Sequence, residues 1–335
     1  MTVNHQRVVD ENYYVHSIGK KLGQGGQGVV YRTKDPDIAV KLITDENGLI
    51  LSEEMVIERF YKKLKLLRLL PLPTELNISI PAALLKDQPG YVMQFMNDMV
   101  SFESFWIDGV SAKNIDIEKD APAWLAAVQD KQAVKQIIHY KNTGGLRRRL
   151  IALYKSASIL ARLHGNGFVY GDISNKNLFV SEDSSYSEVW FIDADNIRFE
   201  IAQGGSGVCT PMFGAPELVQ NLDSGRPRSD CHAFAVMAFY MLSMIHPFLG
   251  QSVYENDDSD WSDEDISAED KAFAGLLPWV DDPDDRSNSN SAGFNRELVL
   301  TTKLSNLFQE TFGAGRTEFW KRPSIYHWPE ALAEA

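Results

Sequence analysis

Leu22-Gly23-Gln24-Gly25-Gly26-Gln27-Gly28-Val29-Val30-Tyr31 decides how the N-terminal part of this chain folds. Glycines at 23, 25 and 28 form Gly-x-Gly-x-x-Gly, a weak signal alone because dinucleotide folds use it too. The flanks separate the possibilities. In a dinucleotide fingerprint the glycines open a helix whose N-terminus meets a pyrophosphate. Here they are preceded by the alternating stretch His16–Leu22 and followed by β-branched and aromatic Val29-Val30-Tyr31. Asp35-Pro36-Asp37 then reads as a tight turn. The stretch is strand, glycine loop, strand: a hairpin whose backbone can approach phosphates with no Cβ in the way. An ordinary glycine-rich hairpin is the alternative.

Outward from the hairpin, Ile38–Ile43 is a further strand, and alternation puts Ala39 and Lys41 on one face of it. Residues 51–70 carry apolar side chains at Met55, Ile57, Phe60, Tyr61, Leu64, Leu67 and Leu70, a helical spacing ended by Pro71. Short strands are expected near Ala82–Leu85 and Tyr91–Phe95. From about Leu146 the pattern turns helical: Leu150–Leu163, the strongly apolar Asp230–Ile245, and helices near 297–312 and 325–333. Leu178–Val180 and Val189–Ile192 are short strands. The fold class is α+β, β-rich to about residue 96 and mostly helical afterwards.

Between those helices lies Asp172-Ile173-Ser174-Asn175-Lys176-Asn177, with Ile192-Asp193 downstream. This spacing offers Asp172 to take a proton from a hydroxyl, and Asn177 and Asp193 to hold Mg²⁺ against a nucleotide triphosphate. Phosphoryl transfer asks a protein for positioning and charge neutralisation rather than covalent chemistry, so three such groups suffice to suggest it.

The 335 residues are 44% hydrophobic, a globular composition with no apolar run long enough for a membrane span. The N-terminus lacks a charged-then-apolar signal layout, which makes a cytoplasmic location the expectation. Two cysteines, Cys209 and Cys231, and seven scattered histidines give neither a disulfide framework nor a metal-ligand spacing. The net charge of −13 is local. Residues 255–286 hold thirteen acidic side chains against Lys271 and Arg286. Residues 135–162 hold Lys135, Lys141, Arg147, Arg148, Arg149, Lys155 and Arg162 with no acid. Nucleic-acid and membrane partners are not expected. The acidic stretch reads as a solvated insertion at 255–290 or as a surface for a regulatory partner. The basic one reads as a helix face in water or as a dock for an acidic substrate.

Taken in order, the motifs resemble the eukaryotic-like (bacterial-type) Ser/Thr protein kinase superfamily from about residue 16 to 333. Gly23-x-Gly25-x-x-Gly28-x-Val30 is similar to its glycine-rich loop and Ala39-Val40-Lys41 to its strand lysine. Tyr170-Gly171-Asp172 with Asn177 looks like its catalytic loop, and Asp193 like its metal-binding aspartate. Thr210-Pro211…Ala215-Pro216-Glu217 is similar to the end of the activation segment, and Asp230, His246-Pro247-Phe248 and Arg322 to later landmarks. The resemblance implies a bilobal fold: an N-terminal extension at 1–15, an ATP-binding N-lobe at 16–96 with one main helix, and a helical C-lobe at 97–335. It implies ATP and Mg²⁺, and protein substrates bearing Ser or Thr. Lys41 would hold phosphates and pair with Glu58, or with Glu54 one turn earlier. Val30 and Ala39 would cover the adenine, Phe179 would lie under it, Met93 would sit behind it, and Gln94-Phe95-Met96 would form the hinge. Asp172 would orient the acceptor hydroxyl, Asn177 and Asp193 would hold Mg²⁺, and Arg322 would pair with Glu217.

Departures from that pattern make this an atypical relative. Gly171 replaces the arginine that normally pairs with a phosphorylated activation segment, so activity without such phosphorylation is expected. Ser174 replaces a lysine, and Lys176 is expected to supply that charge to the γ-phosphate. Asp193-Ala194-Asp195 lacks the bulky middle residue that would toggle, and Asp195 is either a second metal contact or a capped turn. Thr210 is expected to bond near Asp172, which favours Ser/Thr acceptors. The alternatives are a catalytically silent scaffold on the same fold and a small-molecule phosphotransferase of the aminoglycoside-kinase kind, which shares Gly171-Asp172.

Overall fold

The computed structural model describes residues 6–25, 28–45, 47–200, 209–255 and 266–335. They divide into two compact units. The first runs to Met99 and takes in Phe191–Ile197; the second holds Val100–Trp190 and Arg198–Ala335.

The first unit contains β1 (Arg7–Val9), β2 (Val15–Gly25), β3 (Gly28–Thr33), β4 (Ile38–Leu42), α1 (Glu54–Leu67), β5 (Ala83–Leu84) and β6 (Gly90–Gln94). The strands form one antiparallel sheet in the order β1-β2-β3-β4-β6-β5. Residues 7–9, read from sequence as part of an extension, are therefore its edge strand. Residues directly opposite each other share a face. Val30 opposes Lys41, Lys41 opposes Tyr91 and Ala39 opposes Met93. Val30, Ala39, Lys41, Tyr91 and Met93 thus line one side of the sheet. Val40, Leu42 and Val92 turn to the other, where they pack with Val8, Ile18, Ala83 and Leu85 as an apolar core.

Helix α1 forms where the sequence spacing predicts, three residues shorter at each end. Glu54 in its first turn and Lys65 in its last suit the helix dipole. Leu64 and Leu67 are buried, Phe60 stacks near Tyr91 with ring centroids 6.4 Å apart, and the Tyr61 hydroxyl donates to the Leu85 carbonyl at 2.8 Å. The stretch Phe191–Ile197 is knit to the same unit by its backbone. Phe191 N–H donates to Asn77 O and Ser79 N–H to Phe191 O, both at 2.8 Å.

The boundary between the units falls within β7 (Met99–Ser101). Short helices α2 (Gly109–Asn114), α3 (Ile117–Asp120) and α4 (Ala123–Ala126) precede α5 (Lys131–Asn142) and the long α6 (Gly145–Gly165). Then come β8 (Phe168–Val169), β9 (Leu178–Ser181), β10 (Val189–Phe191), β11 (Arg198–Phe199), α7 (Pro216–Val219) and α8 (Pro227–Ser243). The C-terminal part adds α9 (Gln251–Tyr254), α10 (Ala268–Phe273), α11 (Arg296–Val299), α12 (Thr302–Phe312), α13 (Ala314–Thr317) and α14 (His327–Glu334). β9 lies between β7 and β10, and β11 pairs with β8. Helix α8 is buried along almost its whole length, as its unbroken apolar sequence predicts.

One expectation is overturned. The basic stretch is not simply a face in water, because Arg148 and Arg149 are buried. Arg149 lies over the Tyr140 ring at 3.8 Å and donates to the carbonyls of Tyr140, Gly145 and Phe105. Carbonyls at a helix end lack intrahelical partners, and the guanidinium fork satisfies them. The acidic stretch is partly structural as well. Asp281 pairs with Arg296 at 2.9 Å, and Asp282 accepts the Asp284 and Asp285 amides. Its residues 256–265 lie outside the described residues. Among the described residues no helix is long and apolar enough to cross a membrane.

Candidate functional site

Sequence and fold bring the candidate residues together in two clusters, one in each unit. In the first, strand β4 carries Lys41 on the face it shares with Val30, Ala39, Tyr91 and Met93. Its ammonium is 4% exposed and is held by the Asp193 carboxylate and by Asp195 Oδ2 at 3.4 Å. Tyr91 Oη donates to Asp193 Oδ1 at 3.2 Å. Burial alone would lower the Lys41 pKa, but the charges of Asp193 and Asp195 override it and hold the amine more firmly protonated. Asp195 is completely buried, which together with neighbouring Asp193 pushes its carboxyl up to about 6 against the pull of Lys41.

Asp193 has φ +55°, a left-handed conformation that non-glycine residues rarely take, and residues 194–196 then form one 3₁₀ turn. Lys63 of α1 ties that turn down, donating to Asn196 Oδ1 at 2.8 Å. The expected pairing of Lys41 with Glu58 does not occur. Glu58 and Glu54 are exposed on α1. The face of α1 that is at least half-buried carries Ile57, Phe60, Tyr61, Leu64 and Leu67, and Glu58 lies about 100° around the helix from Ile57.

The glycines of the hairpin are not equivalent. A Cβ on Gly28 would come 2.4 Å from the Leu42 carbonyl oxygen of the neighbouring strand, whereas one on Gly23 or Gly25 would meet no described residue within 4 Å. At the far edge Phe95 N–H bonds Asp37 O at 2.8 Å, Gln94 is exposed and Met96 is buried.

The second cluster is the loop from Tyr170 to Asn177. Asp230, near the start of α8, accepts the backbone N–H of Tyr170 at 2.8 Å and of Gly171 at 3.0 Å. His164, at the end of α6, contacts the same carboxylate at 3.0 Å. Burial would lower the His164 pKa, but the hydrogen bond and charge of Asp230 raise it to about 9. Gly171 has φ +89°, so an arginine there would be strained; the departure noted in the sequence has a backbone cause.

Asp172 follows directly. Asn177 Nδ2 donates to its Oδ2 at 3.0 Å and to its backbone carbonyl at 2.9 Å, and Thr210 Oγ1 donates to its Oδ1 at 3.1 Å. The Thr210 contact is the one expected from sequence. Asp172 shares a small pocket with Cys209, Phe213, Leu218 and Ala233. Burial, with the charges of Asp172 and Glu217, pushes the Cys209 thiol up to about 11, so it stays protonated. Lys176 is exposed, 3.8 Å from Glu103, and Phe179 is half-buried on β9. Glu217 and Arg322 form the expected pair, bidentate at 2.7 Å, with Arg322 buried.

Sequence reasoning missed Tyr91 and His164 and undervalued Asp195. The first could have been found from register, since it opposes Lys41. The last stands two residues from Asp193 in a run with no other acid. Residues 201–208 of the expected activation segment lie outside the described residues.

No protein-family model matches the chain. Over 99 residues it is 30% identical to sperm motility kinase Z of Mus musculus, a stretch covering 29% of this chain. The match spans about a fifth of that relative's length. Its partial similarity suggests a kinase-like relationship.

Proposed function

We propose that the chain is a protein kinase of bilobal, protein-kinase-like fold, transferring the γ-phosphoryl of Mg·ATP to Ser or Thr hydroxyls of protein substrates. The observation that carries this reading is the setting of Asp172, a carboxylate oriented at both oxygens on a loop whose backbone is pinned from behind by Asp230. In the reaction the acceptor oxygen bonds to the γ-phosphorus, the bond to the β–γ bridging oxygen breaks, ADP leaves, and the hydroxyl proton passes to Asp172. Lys41 offers its charge to the phosphates. Val30, Ala39 and Met93 share its side of the sheet and suit a flat adenine, with Gln94 and Met96 at the strand's end. Lys176 is exposed, and in this reading its charge serves the γ-phosphate.

Mg²⁺ takes hard oxygen ligands and keeps several waters. Among the described residues no three His, Cys, Asp or Glu side chains cluster as a metal site. The Asp193 carboxylate and the Asn177 amide oxygen fit that chemistry, since Asn177 uses its nitrogen on Asp172. When bound, the ion neutralises charge on the phosphate oxygens.

Incubation with labelled ATP, Mg²⁺ and a Ser/Thr-rich protein acceptor tests the reading. The expected outcome is acid-stable phosphoserine or phosphothreonine, whose formation a chelator prevents, with kcat lowered about a hundredfold or more in Asp172→Ala and Asp193→Ala. Wild-type-like turnover in Asp193→Ala sinks it. Ser206→Ala, which removes the one activation-segment hydroxyl besides Thr210, is expected to leave turnover intact. Nucleotide binding without any incorporation would favour a scaffold.

A further inference from the structure

We infer that Asp195 is the positioning residue for Lys41, the part that sequence reasoning gave to Glu58. The inference deepens the phosphotransfer reading and rests on it. Lys41 is buried and has two carboxylate partners, Asp193 and Asp195. The two differ in what else they can do. Asp193 keeps 29% of its side chain exposed and, in the proposed reaction, turns to the cation. Asp195 is wholly buried, and its Oδ1 has no hydrogen-bond partner among the described residues. A carboxylate removed from water is tolerable beside a positive charge; Lys41 pairs with it directly, and the charge of Lys63 lies near.

The backbone around Asp195 is fixed as well. Ile197 N–H closes the turn on Ala194 O at 3.1 Å, and Lys63 holds Asn196. When Asp193 engages a cation, Asp195 therefore remains as the anchor that keeps the ammonium aimed along its face of the sheet. The lysine and the cation-binding aspartate are set by one short turn, with no glutamate of α1 involved.

The test compares Asp195→Asn with Glu58→Gln in the full chain. Without nucleotide, labelling of Lys41 by a small amine-reactive reagent, read by peptide mass spectrometry, is expected to be several-fold faster in Asp195→Asn, because the ammonium loses one anchor. Glu58→Gln is expected to label as wild type does. With Mg·ATP, Asp195→Asn is expected to raise KM for ATP about tenfold and to lower kcat, while Glu58→Gln stays within twofold on both. Unchanged labelling and affinity in Asp195→Asn overturns the inference. So does loss of affinity in Glu58→Gln, a surface variant that reports even if Asp195→Asn fails to fold. The expected labelling pattern in a wild-type chain that does not bind Mg·ATP refutes the phosphotransfer reading, and the phosphate role with it, while the Lys41–Asp195 pair stands.

Discussion

The turn Asp193–Asn196 and the loop Tyr170–Asn177 each present a carboxylate through left-handed backbone, and they are built in opposite ways. In the loop a glycine takes the left-handed position, Gly171 at φ +89°, and the carboxylate follows in Asp172. In the turn the carboxylate residue itself takes it, Asp193 at φ +55°, at a cost of about 1 kcal/mol. In the loop charge holds the backbone, through Asp230 and His164, while an amide and a hydroxyl orient the Asp172 side chain. In the turn charge holds the side chains, through Lys41. The difference suits the proposed roles. Donors from an amide and a hydroxyl fix the direction of a carboxylate, which suits a group that must meet a hydroxyl at a set angle; a buried ammonium shared by two carboxylates fixes a charge in place, which suits the phosphate end of a nucleotide.

The strongest way to break the comparison is to remove charge from behind the loop. The folded pKa of His164, about 9, lies above the ordinary 6.5 because Asp230, helped by Cys231, more than offsets burial. A raised pKa means that the pair's contribution is complete below about pH 6.5 and fades as pH rises through about 9. The full contribution is roughly 3 kcal/mol by the size of the shift. Unfolding free energies measured at pH 6.5 and at pH 10 are therefore expected to differ more for wild type than for His164→Gln, by about that amount. Equal pH dependence in the two proteins would show that charge does not hold this loop.

A second experiment sharpens the contrast between glycine used for fold and glycine left open for a ligand. Gly28→Ala drives a Cβ into the Leu42 carbonyl and is expected to cost roughly 1–3 kcal/mol in thermal or denaturant unfolding. Gly23→Ala and Gly25→Ala meet nothing among the described residues and are expected to change stability by less than about 0.5 kcal/mol. If ATP affinity falls in those two while stability does not, the open space belongs to the nucleotide.

What could be read in advance follows from how local each signal is. The glycine hairpin, β4 and α1 rest on period-2 and period-3.6 patterns within a few residues, and they form close to where those patterns put them. Asp172, Asn177 and Thr210 come together as their order in the chain suggested. The short helices between 109 and 126 gave no signal because four to six residues hold too little of a period to detect. β1 is three residues long and owes its strand to its partner β2. Arg148 and Arg149 misled because a run of cations normally faces water, and their burial depends on carbonyls at the end of α5, which only tertiary structure supplies. Glu58 misled for a similar reason: a helix can be foreseen more easily than the direction of its faces, and one residue turns a side chain about 100°.

The smallest expected effect tests the neutral donors themselves. Thr210→Val removes the hydroxyl bonded to Asp172 Oδ1, and Tyr91→Phe removes the one bonded to Asp193 Oδ1. Each deletes a single hydrogen bond of roughly 0.5–1.5 kcal/mol, so neither is expected to change turnover more than about tenfold. The direction of the pair is the informative part. Asp172 relies on Thr210 to aim one oxygen, whereas Asp193 keeps Lys41 when Tyr91 loses its hydroxyl. Thr210→Val is therefore expected to lower kcat several-fold with KM for ATP unchanged, and Tyr91→Phe to lower it less than twofold. A larger loss in Tyr91→Phe than in Thr210→Val would mean that the hydroxyl, rather than the ammonium, holds the Asp193 turn, and the contrast between the two carboxylates would fail at that point.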